Sequence, residues 1–251
     1  LCSCNLQDSI REDNMLKMLE RVRSPERLLF KPPTLGSVLY LPGLPGAGDK
    51  IYDRSPYGNI GTITGATWER LPTGLWTLLH DGVDDYTDCG NAASLNNLSA
   101  LTAIVWVNLT TYGEGDVSRF FSKEVGWYFS SNSGGIIDFR VDYATTDFRE
   151  RVGGGLGLGV WLRVGITWNG IPTTGNAKIY LNGVNQSSST LADGTGARDN
   201  DSASNLLIGS NAATSASLKG RTALPLLYNE VKSASQMLND FNQTRHLFGV
   251  W

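Results

Sequence analysis

Between residues 160 and 182 apolar and polar residues alternate. In the first run Val160, Leu162, Val164, Ile166 and Trp168 share one side, and Trp161, Arg163, Gly165 and Thr167 the other. In the second, Ala177, Ile179 and Leu181 oppose Lys178, Tyr180 and Asn182. A period of two is that of an extended strand, and one apolar side predicts a sheet with one face on a core and the other in water. The stretch 135–143 repeats the pattern, with Ile137, Phe139, Val141 and Tyr143 against Asp138, Arg140 and Asp142. Further strands are predicted at 37–41, 75–80, 86–89, 101–110, 119–123, 126–130, 205–208 and 224–228. Gly, Asn, Asp, Ser and Pro fill the separators. Many short strands between such turns predict an all-β antiparallel sandwich of two sheets.

Two stretches follow a helical period instead. Near the end, Met237, Leu238 and Phe241, with Leu247 beyond, predict a short helix over 235–247, capped by Ser233 or Ser235. At the start, Leu6 and Ile10 lead into a stripe of Met15, Met18, Leu19 and Val22 within a strongly charged segment. Ser24-Pro25 and Pro32-Pro33 then break the period. The chain thus divides into a helical and extended arm, 1–35, and a sandwich, 36–251. An isolated helix of about 18 residues is marginal in water. The stripe is therefore expected to bury against a partner, making the arm an assembly element for a homo-oligomer or a larger particle.

Composition adds limits. Of 251 residues, 41% are hydrophobic and 18% charged, so Ser, Thr, Asn and Gly must build much of the surface. That suits an extracellular or virion-surface protein. A net charge of −3 gives no reason to expect nucleic acid as a partner. No apolar run reaches the roughly 18–20 residues of a membrane span. Cys2, Cys4 and Cys89 are odd in number, which excludes a fully paired set within one chain. With only His80 and His246 beside them, they make a poor zinc set.

Six motifs occur in a familiar order. They are Asp81-Gly82-Val83-Asp84-Asp85-Tyr86, Ala103-Ile104-Val105-Trp106-Val107, the run 161–170, Tyr180-Leu181-Asn182-Gly183, Ile208-Gly209, and 227–234. In this the span 36–250 resembles laminin G-like domains of the concanavalin A-like jelly-roll superfamily. The resemblance implies a jelly-roll fold. It leaves function open among lectins, adhesion modules, glycan hydrolases and lyases, and structural virion parts. It also implies calcium at the rim of the sandwich, where Asp81, Asp84 and Asp85 offer hard oxygen ligands. Ala223-Leu224 stand where such domains commonly carry an acidic pair. The same three aspartates could simply cap a turn.

Candidate chemistry is sparse. Trp161, Arg163, Lys178 and Tyr180 lie on the polar sides of their strands and, with Arg140, could bind glycan by ring stacking and hydroxyl hydrogen bonds. The alternative is that the arm or a loop covers the aromatics. Asp138 and Asp142 lie about 13 Å apart at strand rise, too far for a retaining glycosidase pair. With Arg140 between them they read as a solvated face. The Glu-x-Asp-x-x-Glu strand of the superfamily's glucanases is absent. His80 and His246 read as structural. Glycines 153–159 lack phosphate-loop spacing and precede a strand. The reading is a non-catalytic binding or adhesion module, for a glycan or a protein surface. A structural part of a virion or extracellular assembly is the first alternative, and a polysaccharide-active hydrolase or lyase the second.

Overall fold

Alternation becomes sheet from Ser37 onward in a computed structural model that describes residues 36–251. The first strands are β1 (Ser37–Tyr40), β2 (Lys50–Ile51), β3 (Gly61–Thr64), β4 (Thr67–Arg70), β5 (Trp76–Asp81) and β6 (Tyr86–Asp88). Then come β7 (Leu101–Leu109), β8 (Val117–Lys123), β9 (Trp127–Asn132), β10 (Ile136–Val141), β11 (Phe148–Val152) and β12 (Leu162–Trp168). The last are β13 (Ala177–Leu181), β14 (Val184–Asn185), β15 (Ser189–Ala192), β16 (Leu206–Ile208) and β17 (Lys219–Tyr228). One helix, α1 (Ala234–Thr244), and a 3-10 turn, Arg245–Phe248, close the chain. No helix among the described residues is long and apolar enough to cross a membrane.

The strands form two antiparallel sheets. The first runs β14-β13-β12-β7-β17-β5-β4, with β1 also on β17. The second runs β15-β11-β10-β9-β8-β16-β6-β3-β2. Their inner faces meet in one core. Ala103, Val105, Val164, Ile166 and Trp168 come from the first sheet, and Phe121, Trp127, Phe129, Phe139 and Phe148 from the second. Phe139 joins them, its ring 6.2 Å from Trp168 and 6.5 Å from Trp127. Each such burial contributes roughly 1.5–3 kcal/mol before chain entropy is charged against it.

The expected wet face of the first sheet is not wet. On β12 Arg163, Gly165 and Thr167 are as buried as Val164 and Ile166. The helix α1 lies across this outer face. Ser233 caps it by accepting the Gln236 N–H, while the Gln236 side chain accepts the Ser233 N–H. Met237 then packs among Ile104, Tyr180, Leu226 and Tyr228. Gly165 makes room for it: a Cβ there would sit 2.6 Å from the Met237 terminal carbon. Phe241 and Phe248 stack on Trp106 with centroids at 5.7 and 4.2 Å. The outer face of the second sheet carries no such cover among the described residues, and its side chains are mostly polar.

Candidate binding face

On the second sheet, register aligns one outward-facing row across six strands. Asp88 on β6 pairs with Leu207 on β16, Leu207 with Ser122 on β8, and Ser122 with Tyr128 on β9. Tyr128 pairs with Arg140 on β10, and Arg140 with Arg149 on β11. The row spans about 24 Å at the usual strand spacing. A neighbouring row holds Arg119, Ser130, Asp138 and Arg151.

At the β6–β16–β8 end the face sinks into a depression of about 410 Å³. Tyr86, Asp88, Ser122, Glu124, Asn205 and Leu207 line it. Asn205 Nδ2 donates to Asp88 Oδ2 at 2.8 Å, and the Gly90 N–H donates to Asp88 Oδ1 at 2.7 Å. The loop carrying Ser204 and Asn205 is anchored from beneath. Lys123 Nζ donates to the Ser204 carbonyl at 2.8 Å and to Asn96 Oδ1 at 2.7 Å, with Asp201 at 3.7 Å. Burial pulls the Lys123 pKa down, and the Asp201 charge works against that. Two β-branched residues beside the rim hold left-handed backbone: Val125 at φ +59° next to Glu124, and Thr214 at φ +52° near Ala212. Such strain persists where surrounding structure fixes it, and it concentrates at functional sites.

Further along, charge is tightly paired. Asp138 is buried, not solvated as the alternation suggested. It accepts from Asn132 Nδ2 at 2.6 Å, Arg149 Nη2 at 2.9 Å, and Arg151 Nε and Nη2 at 2.6 and 2.7 Å. Burial alone would raise its pKa, but the hydrogen bonds from Arg151 and Arg149 outweigh it and hold the carboxyl low. Arg140 pairs with Asp142 at 2.7 Å and Asp147 at 2.6 Å.

The five residues read as glycan contacts do not converge. Arg140 stands on the open face. Trp161, Arg163 and Tyr180 belong to the covered one. Arg163 is 3% exposed, with Nε on Asp240 Oδ2 at 2.7 Å and Nη1 on the Leu224 carbonyl at 3.2 Å. Tyr180 is buried against Met237, and Trp161 packs on Phe248 at 4.7 Å. Lys178 is exposed near the sheet's edge, opposite Thr167. Among the described residues, the cover over the aromatics is the C-terminal helix and the turn after it. Tyr86, Asp88 and Asn205 were missed as a site because register brings them together.

Asp81, Asp84 and Asp85 do converge, their ligand oxygens within 4.8 Å of one another. Asp85 Oδ2 accepts the Asp81 N–H at 2.7 Å, and Asp81 Oδ1 accepts the Val83 N–H at 2.8 Å. The turn-capping role is therefore real, and it leaves each of these two carboxylates a second oxygen. Gly65 keeps the space open, since a Cβ there would lie 1.8 Å from Asp85 Oδ1. Burial raises the Asp85 pKa, and the Asp81 and Asp84 charges add to the rise. A cluster of hard, mutually repelling oxygens fits a calcium ion. Met15, Met18, Leu19 and Val22 lie outside the described residues.

Comparison with known proteins agrees with the architecture. No curated protein matches the chain. Among solved structures, the binding domain of Paraclostridial Mosquitocidal Protein 1 superposes with a TM-score of 0.64 at 16% identity, over 86% of this chain and 55% of that one. The botulinum neurotoxin serotype D binding domain gives 0.59 at 13%, over 82% and 51%. A botulinum neurotoxin type C structure, titled for cell entry dependent upon interaction with two ganglioside molecules, gives 0.60 at 13%, over 82% and 51%. The chain spans about half the length of these structures, and at such identities the likeness is one of fold. Residues 81–237 match the laminin G family model Laminin_G_3, described as the concanavalin A-like lectin/glucanases superfamily. The chain belongs to that superfamily, as a laminin G-like domain.

Proposed function

We propose that the protein is a non-catalytic glycan-binding module of an extracellular or virion surface, and that its ligand lies on the outer face of the second sheet. The observation that carries this is the depression lined by Tyr86, Asp88, Ser122 and Asn205. A sugar hydroxyl both donates and accepts. The Asp88–Asn205 pair offers an acceptor and a donor side by side, and Tyr86 a ring for the sugar's C–H face. The type C toxin's dependence on gangliosides is a property of that protein, and it lends the same chemistry a precedent on a related fold. Asp138, with four hydrogen bonds from cationic and amide donors and a lowered pKa, is poorly suited to a general acid, which supports binding over hydrolysis.

The test is a glycan array probed with the full chain, followed by the Asp88→Ala and Asn205→Ala variants on the best ligand. Losing two hydrogen bonds to a charged acceptor should weaken binding by tenfold or more. Variants that fold and bind as well as the parent would remove the depression from the reading, and a chain that bound no array member would remove the glycan.

Calcium at Asp81, Asp84 and Asp85 is part of the same proposal. Asp85 leads directly into Tyr86 and Asp88, so an ion there would order the start of β6. At a hundredfold excess over its dissociation constant it should add about 2.7 kcal/mol. That corresponds to roughly 5–10 °C in Tm for a domain of this size. Calcium added after chelation should raise Tm in the parent and leave Asp84→Asn unmoved; equal melting with and without calcium would leave the turn as the cluster's whole role.

A further inference from the structure

We propose that the glycan is acidic and that Arg119 reads its negative group. This rests on the binding reading above and adds the ligand's class. Four arginines stand on the open face of the second sheet. Arg149 and Arg151 are bound to Asp138, and Arg140 to Asp142 and Asp147. Arg119 forms no ion pair with any described residue. It lies on β8, the strand whose Ser122 lines the depression, and its neighbour across the ladder is Ser130.

Its position is nonetheless fixed. The guanidinium carbon sits 3.4 Å from the Tyr128 ring centroid, with the Arg140 guanidinium 5.8 Å from the same ring. Stacking holds a guanidinium's plane and leaves its N–H edge free to meet a planar or tetrahedral oxyanion through two donors at once. Two polar atoms in this spot, Arg119 Nε and Ser130 Oγ, are buried without a hydrogen-bond partner. Both atoms are closed to solvent, so the donors that an incoming oxyanion would meet are the two terminal Nη groups of the stacked guanidinium, which no described residue engages.

The neighbours select the kind of ligand. Ser122, one strand spacing from Tyr128, and Asp88 with Asn205, two to three strands from it along the same row, serve hydroxyls. A ligand crossing from the depression to Arg119 must therefore carry hydroxyls at one end and a negative group at the other. A carboxylate-bearing sugar or a sulfate ester on a sugar meets both demands. The net charge of −3 argues against loose attraction to any polyanion, so recognition has to be local.

Two measurements decide it. The first compares matched neutral, carboxylated and sulfated galactosides on the full chain, parent against Arg119→Gln. The acidic ligands should bind at least tenfold tighter than the neutral one, and Arg119→Gln should erase that preference while changing neutral binding less than threefold. Whichever acidic ligand is preferred identifies the source of the charge. Arg119→Lys keeps the charge but not the fork and should recover only part of the preference. A parent with no acidic preference, or a preference that Arg119→Gln leaves intact, overturns the inference and leaves glycan binding standing. The second titrates sodium sulfate at constant ionic strength and follows Tm. A saturable rise in the parent that is absent in Arg119→Gln supports an oxyanion site even if no glycan binds, in which case it is the glycan reading that fails. No rise together with no glycan binding sinks both.

Discussion

His80 carries its consequence in a single ring. The side chain is buried in β5, with Nε2 3.0 Å from Thr222 Oγ1. Gly209 closes over it: a Cβ there would lie 2.6 Å from the ring, and its φ of +95° favours glycine as well. Burial pushes the pKa from 6.5 down to about 4, against the Asp85 backbone and the Asp81 charge. The folded pKa lies below the unfolded one. The unfolded chain therefore takes up a proton first as pH falls, and stability is lost between about 6.5 and 4. The loss expected is about 3 kcal/mol. Asp85, its pKa raised by burial, works the other way in the acid range, so the measurement must be a difference. Urea unfolding at pH 7, 5.5 and 4 should show stability falling more steeply in the parent than in His80→Gln. Parallel curves would mean that the ring titrates normally. At this scale part of the sequence was legible: His80 read as structural and is buried, and the three aspartates beside it, read as calcium ligands or as a turn, do come together. Asp138 was not, because alternation says which side a carboxylate takes and not whether two arginines from the next strand fold over it.

Among elements, strands with a clean period of two and apolar inner positions were legible, and those without were not. Phe148-Arg149-Glu150-Arg151-Val152 hid β11, because Glu150 points inward and is satisfied there by the Thr190 hydroxyl at 2.6 Å. The two-residue strands β2 and β14 are too short to show a period. The first half of β17 was lost at a bulge between Ala223 and Leu226, where Leu224 takes φ +48°. The helix over 235–247 was legible but its docking was not. A strand's outer positions look alike whether water or a helix covers them, provided a few polar residues find partners, as Arg163 finds Asp240. The signal that could have shown it lies in β7. Leu101–Leu109 is apolar on both sides, with Ile104 and Trp106 facing outward, and continuous apolar strands are those buried on both faces. The depression was beyond reach for another reason. Asp88 and Asn205 stand 117 residues apart, and only the pairing of β6 with β16 makes them neighbours.

For the molecule as a whole, the two faces of the sandwich have opposite fates, and this bears on the arm. The outer face of the first sheet is already filled by Met237, Phe241 and Phe248. The outer face of the second is polar and, in our reading, holds a ligand. Neither offers the broad apolar surface that a stripe of Met15, Met18, Leu19 and Val22 would need in order to fold back on its own domain. We therefore propose that residues 36–251 are a self-sufficient folding unit and that the stripe meets a second copy or a larger particle. Residues 36–251 expressed alone should unfold in one cooperative β transition, with a Tm within a few degrees of the full chain's. In sedimentation velocity the full chain should associate, the 36–251 fragment should not, and the Leu19→Asp/Val22→Asp pair in the full chain should sediment as the monomer. Loss of the cooperative transition in the fragment would show that the arm completes the sandwich after all. A double variant that still associated but melted earlier would point the same way, because a stripe that stabilises its own domain is felt in Tm and one that joins neighbours is felt in mass.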